Sequence, residues 1–226
     1  MIKCITFDLD DTLWEIEPVI KSAEINFHRW LKENYPAAAD QFNIESLRKL
    51  MKQTALESPK IKHDLTQVRL KAYTHIKNIH NFPDDMPVKA YDYFMGHRNN
   101  VVLFEGVEEV LSQLKNKYRL GTITNGNASL EKIGIQKYFD FEIKASDTGF
   151  MKPDVEIFNA AVKKANCDPV NIVHIGDNYE KDIVGAMTAN INYIWLNHNN
   201  EHKKDVDKKN IIKSFLQVPE ALKNIG

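Results

Sequence analysis

The first apolar run of the chain, Ile2 to Phe7, is short, β-prone and broken at once by Asp8. Such a run reads as a strand buried in a parallel sheet and ending in a loop, here Asp8-Leu9-Asp10-Asp11-Thr12. From about Glu17 to Arg98 the period changes. Ile20, Ala23, Ile25, Phe27, Trp30 and Leu31, then Leu47, Leu50, Met51 and Leu56, recur at helical spacing with no comparable strand among them. After Glu105-Gly106 the pattern alternates. Helices are predicted over Val107 to Lys117, Ser129 to Gln136, Asp154 to Asn166 and Lys181 to Ala189, each followed by a strand: Arg119 to Thr124, Phe139 to Lys144, Asn171 to Ile175 and Tyr193 to Leu196. Asn210 to Phe215 and Gln217 to Asn224 read as a short edge strand and a closing helix, with Pro219 tolerated in the first turn.

This alternation predicts an α/β fold, a Rossmann-like doubly wound parallel sheet. An isolated first strand has no stability of its own, so the helical block must be an insertion between it and the rest of the sheet. The expected division is a Rossmann-like core over 1–16 and 99–226 and an inserted helical bundle over 17–98.

Composition narrows the function classes. A chain of 226 residues, 43% hydrophobic and 27% charged, is sized for one unit or two closely joined ones. Its formal net charge of -1 offers no global field to gather nucleic acid or anionic lipid, so any phosphate recognition must be local. No apolar run approaches the roughly 18 residues that cross a bilayer. The apolar stretch at Met1 to Leu9 is too short for a secretion signal, which gives a cytoplasmic expectation. Cys4 and Cys167 lack metal-ligand spacing and read as free thiols of a reducing compartment. The run Glu201 to Lys209 mixes both signs and reads as a solvated loop. No internal repeat is present.

Open α/β sheets bind ligands outside the carboxyl ends of their strands, so residues that follow the predicted strands should converge. They form a coherent set: Asp8 and Asp10; Thr124-Asn125-Gly126; Gly176-Asp177-Asn178 with Asp182; and Lys152-Pro153 ahead of a helix. Taken singly, each is an ordinary loop residue. Crowded carboxylates repel unless a cation sits among them, and all-oxygen ligation without cysteine or clustered histidine selects a hard ion, best Mg²⁺. Lys152 would add a second positive charge. The Thr124 hydroxyl and backbone N–H groups near Asn125 and Gly126 would donate to a phosphoryl group.

Those four segments, Asp8 to Leu13, Thr124 to Gly126, Lys152-Pro153 and Gly176 to Asp182, resemble the four motifs of the haloacid dehalogenase superfamily of hydrolases, along essentially the whole chain. The insertion resembles the helical cap placed just after the first motif. The resemblance implies an Asp8 nucleophile that forms an aspartyl phosphate, and an Asp10 that protonates the leaving oxygen and then deprotonates water. It implies Mg²⁺ held by the Asp8 carboxylate, the Asp10 carbonyl and the Asp177 carboxylate, with Thr12, Asn178 and Asp182 in support. His63-Asp64-Leu65-Thr66 with Arg69, and Thr124 to Ala128, are similar to bacterial phosphatases of flavin mononucleotide and a ribitylaminouracil phosphate. The implied partner is a small phosphorylated metabolite, with no nucleic acid and no membrane, acted on by a monomer or homodimer.

Other residues carry two readings each. Thr12 is expected to bond backbone within its loop, and Asn178 to start a helix or support the ion. His174, inside a predicted strand, reads as a satisfied core histidine. Trp14 fits either hinge packing or a substrate contact, and the aromatic residues of the insertion read mainly as bundle core. Competing functions are a phosphomutase, a haloacid dehalogenase and a non-catalytic module that kept the fold. The dehalogenases of the superfamily lack an aspartate at the position of Asp10.

Overall fold

Cys4–Phe7 (β1) has all four side chains buried, as an apolar strand covered on both faces requires. In the computed structural model, which describes residues 1–225, β1 stands at the centre of a six-stranded sheet. The other strands are β2 (Arg119–Thr124), β3 (Phe141–Lys144), β4 (Ile172–Gly176), β5 (Asn192–Leu196) and β6 (Ile211–Ile212). Their spatial order is β3-β2-β1-β4-β5-β6, and every pairing is parallel. The winding therefore reverses between β1 and β4. That reversal leaves a crevice at the carboxyl ends of these two strands.

The chain divides into two compact units: Met1–Glu15 together with the chain from Val102 onward, and Ile16–Val101. The second unit holds α1 (Ile16–Asn34), α2 (Pro36–Gln41), α3 (Ile44–Leu56), α4 (Leu65–His80) and α5 (Met86–Arg98). Its helices start where local chemistry dictates. Asn43 accepts from the Ser46 N–H, and Asp64 accepts from the N–H groups of Thr66 and Gln67, so each side chain satisfies donors the first turn leaves open. Asn81 closes α4 in the left-handed region at φ 53. Ala23, Phe27, Leu31, Tyr73, Ile76 and Phe94 are buried together, with Phe27 stacked on Tyr73 at 4.8 Å between ring centres. The aromatic residues here are bundle core.

In the sheet unit α6 (Val107–Lys115) and α9 (Val155–Ala165) follow the predicted periodicity, whereas other predicted elements are shorter or displaced. The helix expected over Ser129 to Gln136 is a single turn, α7 (Leu130–Ile133). Gly134 stops it at φ 87, and a 3₁₀ turn takes Gln136–Tyr138. A short α8 (Ala145–Thr148) follows β3. The helix expected from Lys181 starts earlier, as a π-helical stretch over Tyr179–Val184 that tightens into α10 (Gly185–Thr188). The edge strand expected over Asn210 to Phe215 keeps only the two residues of β6, because Ser214 caps a 3₁₀ turn leading into α11 (Val218–Lys223).

Candidate active site

Asp8 is the first residue past β1, and its N–H still donates to the Ile175 carbonyl of β4 at 2.9 Å. That bond sets Asp8 beside Gly176-Asp177 at the crevice. One carboxylate oxygen from each of Asp8, Asp177 and Asp182 lies within 4.8 Å of the others. Lys152 reaches the same point from the loop before α9. Its ammonium donates to Asp8 Oδ1 at 2.6 Å, Asp182 Oδ1 at 2.6 Å and the Ile123 carbonyl at 2.7 Å. Three N–H bonds meet three acceptors, which is the full capacity of an ammonium.

The ammonium is held by a second device. The Asn125 amide donates to the Lys152 carbonyl at 3.0 Å and accepts the Lys152 N–H at 2.7 Å, clamping the backbone from both sides. Gly126 donates its N–H to Thr124 Oγ1 at 2.9 Å, which engages one lone pair of that hydroxyl and leaves its O–H able to donate. Thus Asn125 acts on Lys152 by its side chain, and the Gly126 N–H serves the loop itself.

Asp182 is fully buried and saturated. Oδ1 accepts from Lys152 and from His174 Nε2 at 3.2 Å, and Oδ2 accepts the Asn178 N–H at 3.0 Å. Gly176 makes room for it: a Cβ there would stand 2.3 Å from the Asp182 carboxyl carbon. Asn178 does start the helical segment, accepting the Lys181 N–H. His174 is the satisfied core histidine, with Nδ1 3.0 Å from Thr6 Oγ1. Burial pushes its pKa down more than Asp182 raises it, so the imidazole is neutral, giving Nε2–H to Asp182 and accepting from Thr6. Reading the residues one at a time left this chain unassembled. Its signal is two polar residues, Thr6 and His174, in buried strands; the β1–β4 register places them opposite each other.

Thr12 departs from expectation: its hydroxyl lies 3.4 Å from Asp177 Oδ1 rather than on loop backbone. The Asp177 carbonyl is fixed by Trp195 Nε1 at 2.7 Å, a contact no motif announces. Of the two readings of Trp14 the structure favours packing: its ring is fully buried, and its indole donates to Asp10 Oδ1 at 2.9 Å. In the other unit, Asp64 is a helix cap, and the Arg69 guanidinium lies 3.6 Å from the centre of the Phe94 ring. Arg69 also lines a cavity of about 160 Å³ with Phe27, Leu47, Arg48 and Tyr73.

Electrostatics mark the centre as cation-poor. Burial pushes the Asp8 carboxyl up to about 8, Asp182 and Asp177 adding to the effect against the pull of Lys152. Burial likewise lifts Asp177 to about 7, reinforced by Asp182 and Asp11. Asp182 is held well below the usual range, since Lys152 and His174 outweigh its burial. Burial alone would lower Lys152, but Asp182 and Asp8 keep it above its ordinary value. The donors available around Asp8 and Asp177 are all oxygen; His174 is engaged with Thr6 and Asp182, and the fully buried Cys4 thiol is pushed by burial to about 12. This set fits a hard divalent cation.

A stability prediction follows with a definite sign. Asp8 and Asp177 bind protons more tightly folded than unfolded, so their contribution is present below about pH 4 and is lost as pH rises through about 7 to 8. Asp182 works oppositely, its contribution being lost as pH falls below about 4. Metal-free protein should therefore melt several degrees lower at pH 8 than at pH 5, and Mg²⁺ should restore the difference. A metal-free melting temperature that rises from pH 5 to pH 8 contradicts this.

A carboxylate at the switch point of a doubly wound parallel sheet, held by an ammonium whose three N–H bonds are all engaged, marks an α/β protein with a charged site in the sheet's crevice. The chain belongs to the haloacid dehalogenase-like hydrolase family, whose model matches residues 2–190. It is 30% identical to the 5-amino-6-(5-phospho-D-ribitylamino)uracil phosphatase YigB of Escherichia coli, over 88% of this chain and 85% of that one. It is 28% identical to a glyceraldehyde 3-phosphate phosphatase of Methanothermobacter thermautotrophicus, over 98% of this chain and 100% of that one. Among solved structures, one titled 2-haloacid dehalogenase from Pseudomonas syringae pv. Tomato matches with a TM-score of 0.92 and 33% identity, covering 100% of both chains.

Proposed function

We propose that the chain is a Mg²⁺-dependent phosphatase that hydrolyses a small phosphomonoester metabolite through an aspartyl phosphate on Asp8. The observation that carries this reading is the meeting of Asp8 with Lys152 at 2.6 Å and with Asp177 and Asp182 within 4.8 Å, at the β1–β4 crevice. Lys152 holds Asp8 Oδ1, which leaves Oδ2 to attack phosphorus in line as the P–O bond to the alcohol breaks. Asp10 gives its proton to the departing oxygen; as a carboxylate it then takes a proton from the water that displaces Asp8 from phosphorus. The Thr124 hydroxyl donates to a phosphoryl oxygen. Asp8 and Asp177, with the Asp10 carbonyl, would hold Mg²⁺, which when bound supplies the positive charge that lets an anionic nucleophile approach an anionic ester.

The dehalogenase title on one neighbour and the phosphatase names on two relatives point to different chemistry, and Asp10 separates them. A halide leaves without a proton. An alkoxide needs one, and a dianionic ester needs a cation, so an acid at Asp10 and carboxylates that fit a metal support phosphoryl transfer. The substrates supported first are a ribitylaminouracil phosphate, after the Escherichia coli relative, then flavin mononucleotide and a pyrimidine nucleotide. The setting is cytoplasmic.

The test is turnover of p-nitrophenyl phosphate with Mg²⁺ and with chelator. Metal-dependent release is expected; folded protein inactive under both conditions overturns the phosphatase reading, and chloride release from 2-chloropropionate would replace it. Inactivity toward all three named metabolites, with p-nitrophenyl phosphate still turned over, removes only the substrate assignment.

A further inference from the structure

We propose that Trp14 is the positioning residue of the acid-base group: its indole N–H holds Asp10 Oδ1 so that the proton is given and taken at Oδ2. This rests on the role proposed for Asp10 above. The indole Nε1 donates to Asp10 Oδ1 at 2.9 Å from a fully buried ring. The ring is not free to swing. Asp11 turns the chain at φ 61, a left-handed conformation Asp tolerates better than most residues, and its N–H donates to the Trp14 carbonyl at 2.8 Å. Trp14 also bridges to Asp10 on one side and Leu103 on the other, while the Phe104 N–H donates to the Leu13 carbonyl at 2.9 Å. The three residues Asp11 to Leu13 thus bring residue 14 back alongside residue 10.

An indole N–H donates and never accepts. The oxygen it holds is therefore the unprotonated one in both forms of the carboxyl. In the acid, hydrogen sits on Oδ2 and passes to the leaving oxygen as the P–O bond breaks. In the carboxylate, Oδ2 takes a proton from water as the water oxygen bonds phosphorus and the bond to Asp8 breaks. A carboxyl with neither oxygen fixed spreads its proton over both of them. Trp14 removes that freedom before substrate arrives, which is the orientation effect that a proton transfer rewards.

The test compares two esters in Trp14→Phe and in a variant whose indole is replaced by benzothiophene, which keeps the ring volume and removes the N–H. Glycerol phosphate leaves as a strongly basic alkoxide and needs the acid; p-nitrophenyl phosphate leaves as a weak base and scarcely does. Both variants should lose roughly 10- to 100-fold in kcat/KM on glycerol phosphate with KM little changed, and under about 3-fold on p-nitrophenyl phosphate. A merely structural role would lower both esters together. An unchanged ratio between the esters in the benzothiophene variant overturns the inference, even if Trp14→Phe fails to fold. Asp10→Asn serves as the reference: if it too leaves the ratio unchanged, the acid role of Asp10 has failed; if it alone shifts the ratio, only the role of Trp14 has.

Discussion

Asp8→Asn is expected to lower turnover of any phosphomonoester by roughly 10,000-fold or more, because an amide oxygen cannot displace the leaving alcohol and no second carboxylate stands in its place. Asp177 accepts from the Thr12 hydroxyl, and Asp182 has both oxygens engaged. The fold should not suffer. The amide still accepts from Lys152, and the substitution removes a carboxyl whose ionised form burial disfavours, its pKa being pushed up to about 8. Metal-free Asp8→Asn should therefore melt at or above the wild type near pH 8, while the rise in melting temperature on adding Mg²⁺ shrinks. These readouts part company in an informative way. Near-normal turnover removes covalent catalysis at Asp8, whereas lost turnover with a collapsed melting temperature says only that the substitution unfolded the centre. A phosphoryl adduct, seen by mass spectrometry on the wild type and absent from the variant, completes the case.

How much of this was legible in the sequence depends on whether the signal was local. The order of strands and helices was, because a buried parallel strand and an amphipathic helix each write their period into consecutive residues. Asp8, Lys152, Asp177 and Asp182 were legible as a set because each follows a strand or opens a helix, and an open sheet brings such positions together. Partnerships across the sheet were not. Nothing near Asn125 announces that its amide clamps Lys152, 27 positions on, and nothing near Trp195 announces the Asp177 carbonyl. Trp14 shows the same limit. Its place next to the first motif left packing and substrate contact both open, and it is the left-handed turn at Asp11 that folds it inward onto Asp10. Short elements were misjudged where one glycine or one cap overrode a weak period, as Gly134 did to α7 and Ser214 to β6.

Lys152 carries the largest expected effect on stability. Its side chain is 2% exposed and its three N–H bonds go to Asp8, Asp182 and the Ile123 carbonyl, so Lys152→Met takes from two buried carboxylates and a carbonyl the one cation they share, leaving Asp182 only its bonds from His174 and the Asn178 N–H. Breaking a buried pair from one side costs about 3–5 kcal/mol, far more than losing a solvent-screened pair such as Lys49 with Glu45. For a chain of this size that corresponds to a fall of roughly 10 °C in melting temperature. Arginine should not rescue it, since a planar fork cannot aim three N–H bonds where an ammonium aims them. The deficit should also depend on pH with a definite sign: without the ammonium the carboxylates bind protons still more tightly in the folded state, so Lys152→Met loses more at pH 8 than at pH 5. Adding Asp182→Asn should recover part of the loss, because it removes one of the stranded charges. Lys152→Met within about 1 kcal/mol of wild type at pH 8 would mean that the ammonium does not neutralise this centre, and the electrostatic account of Asp8 as a held, ionisable nucleophile would fall with it.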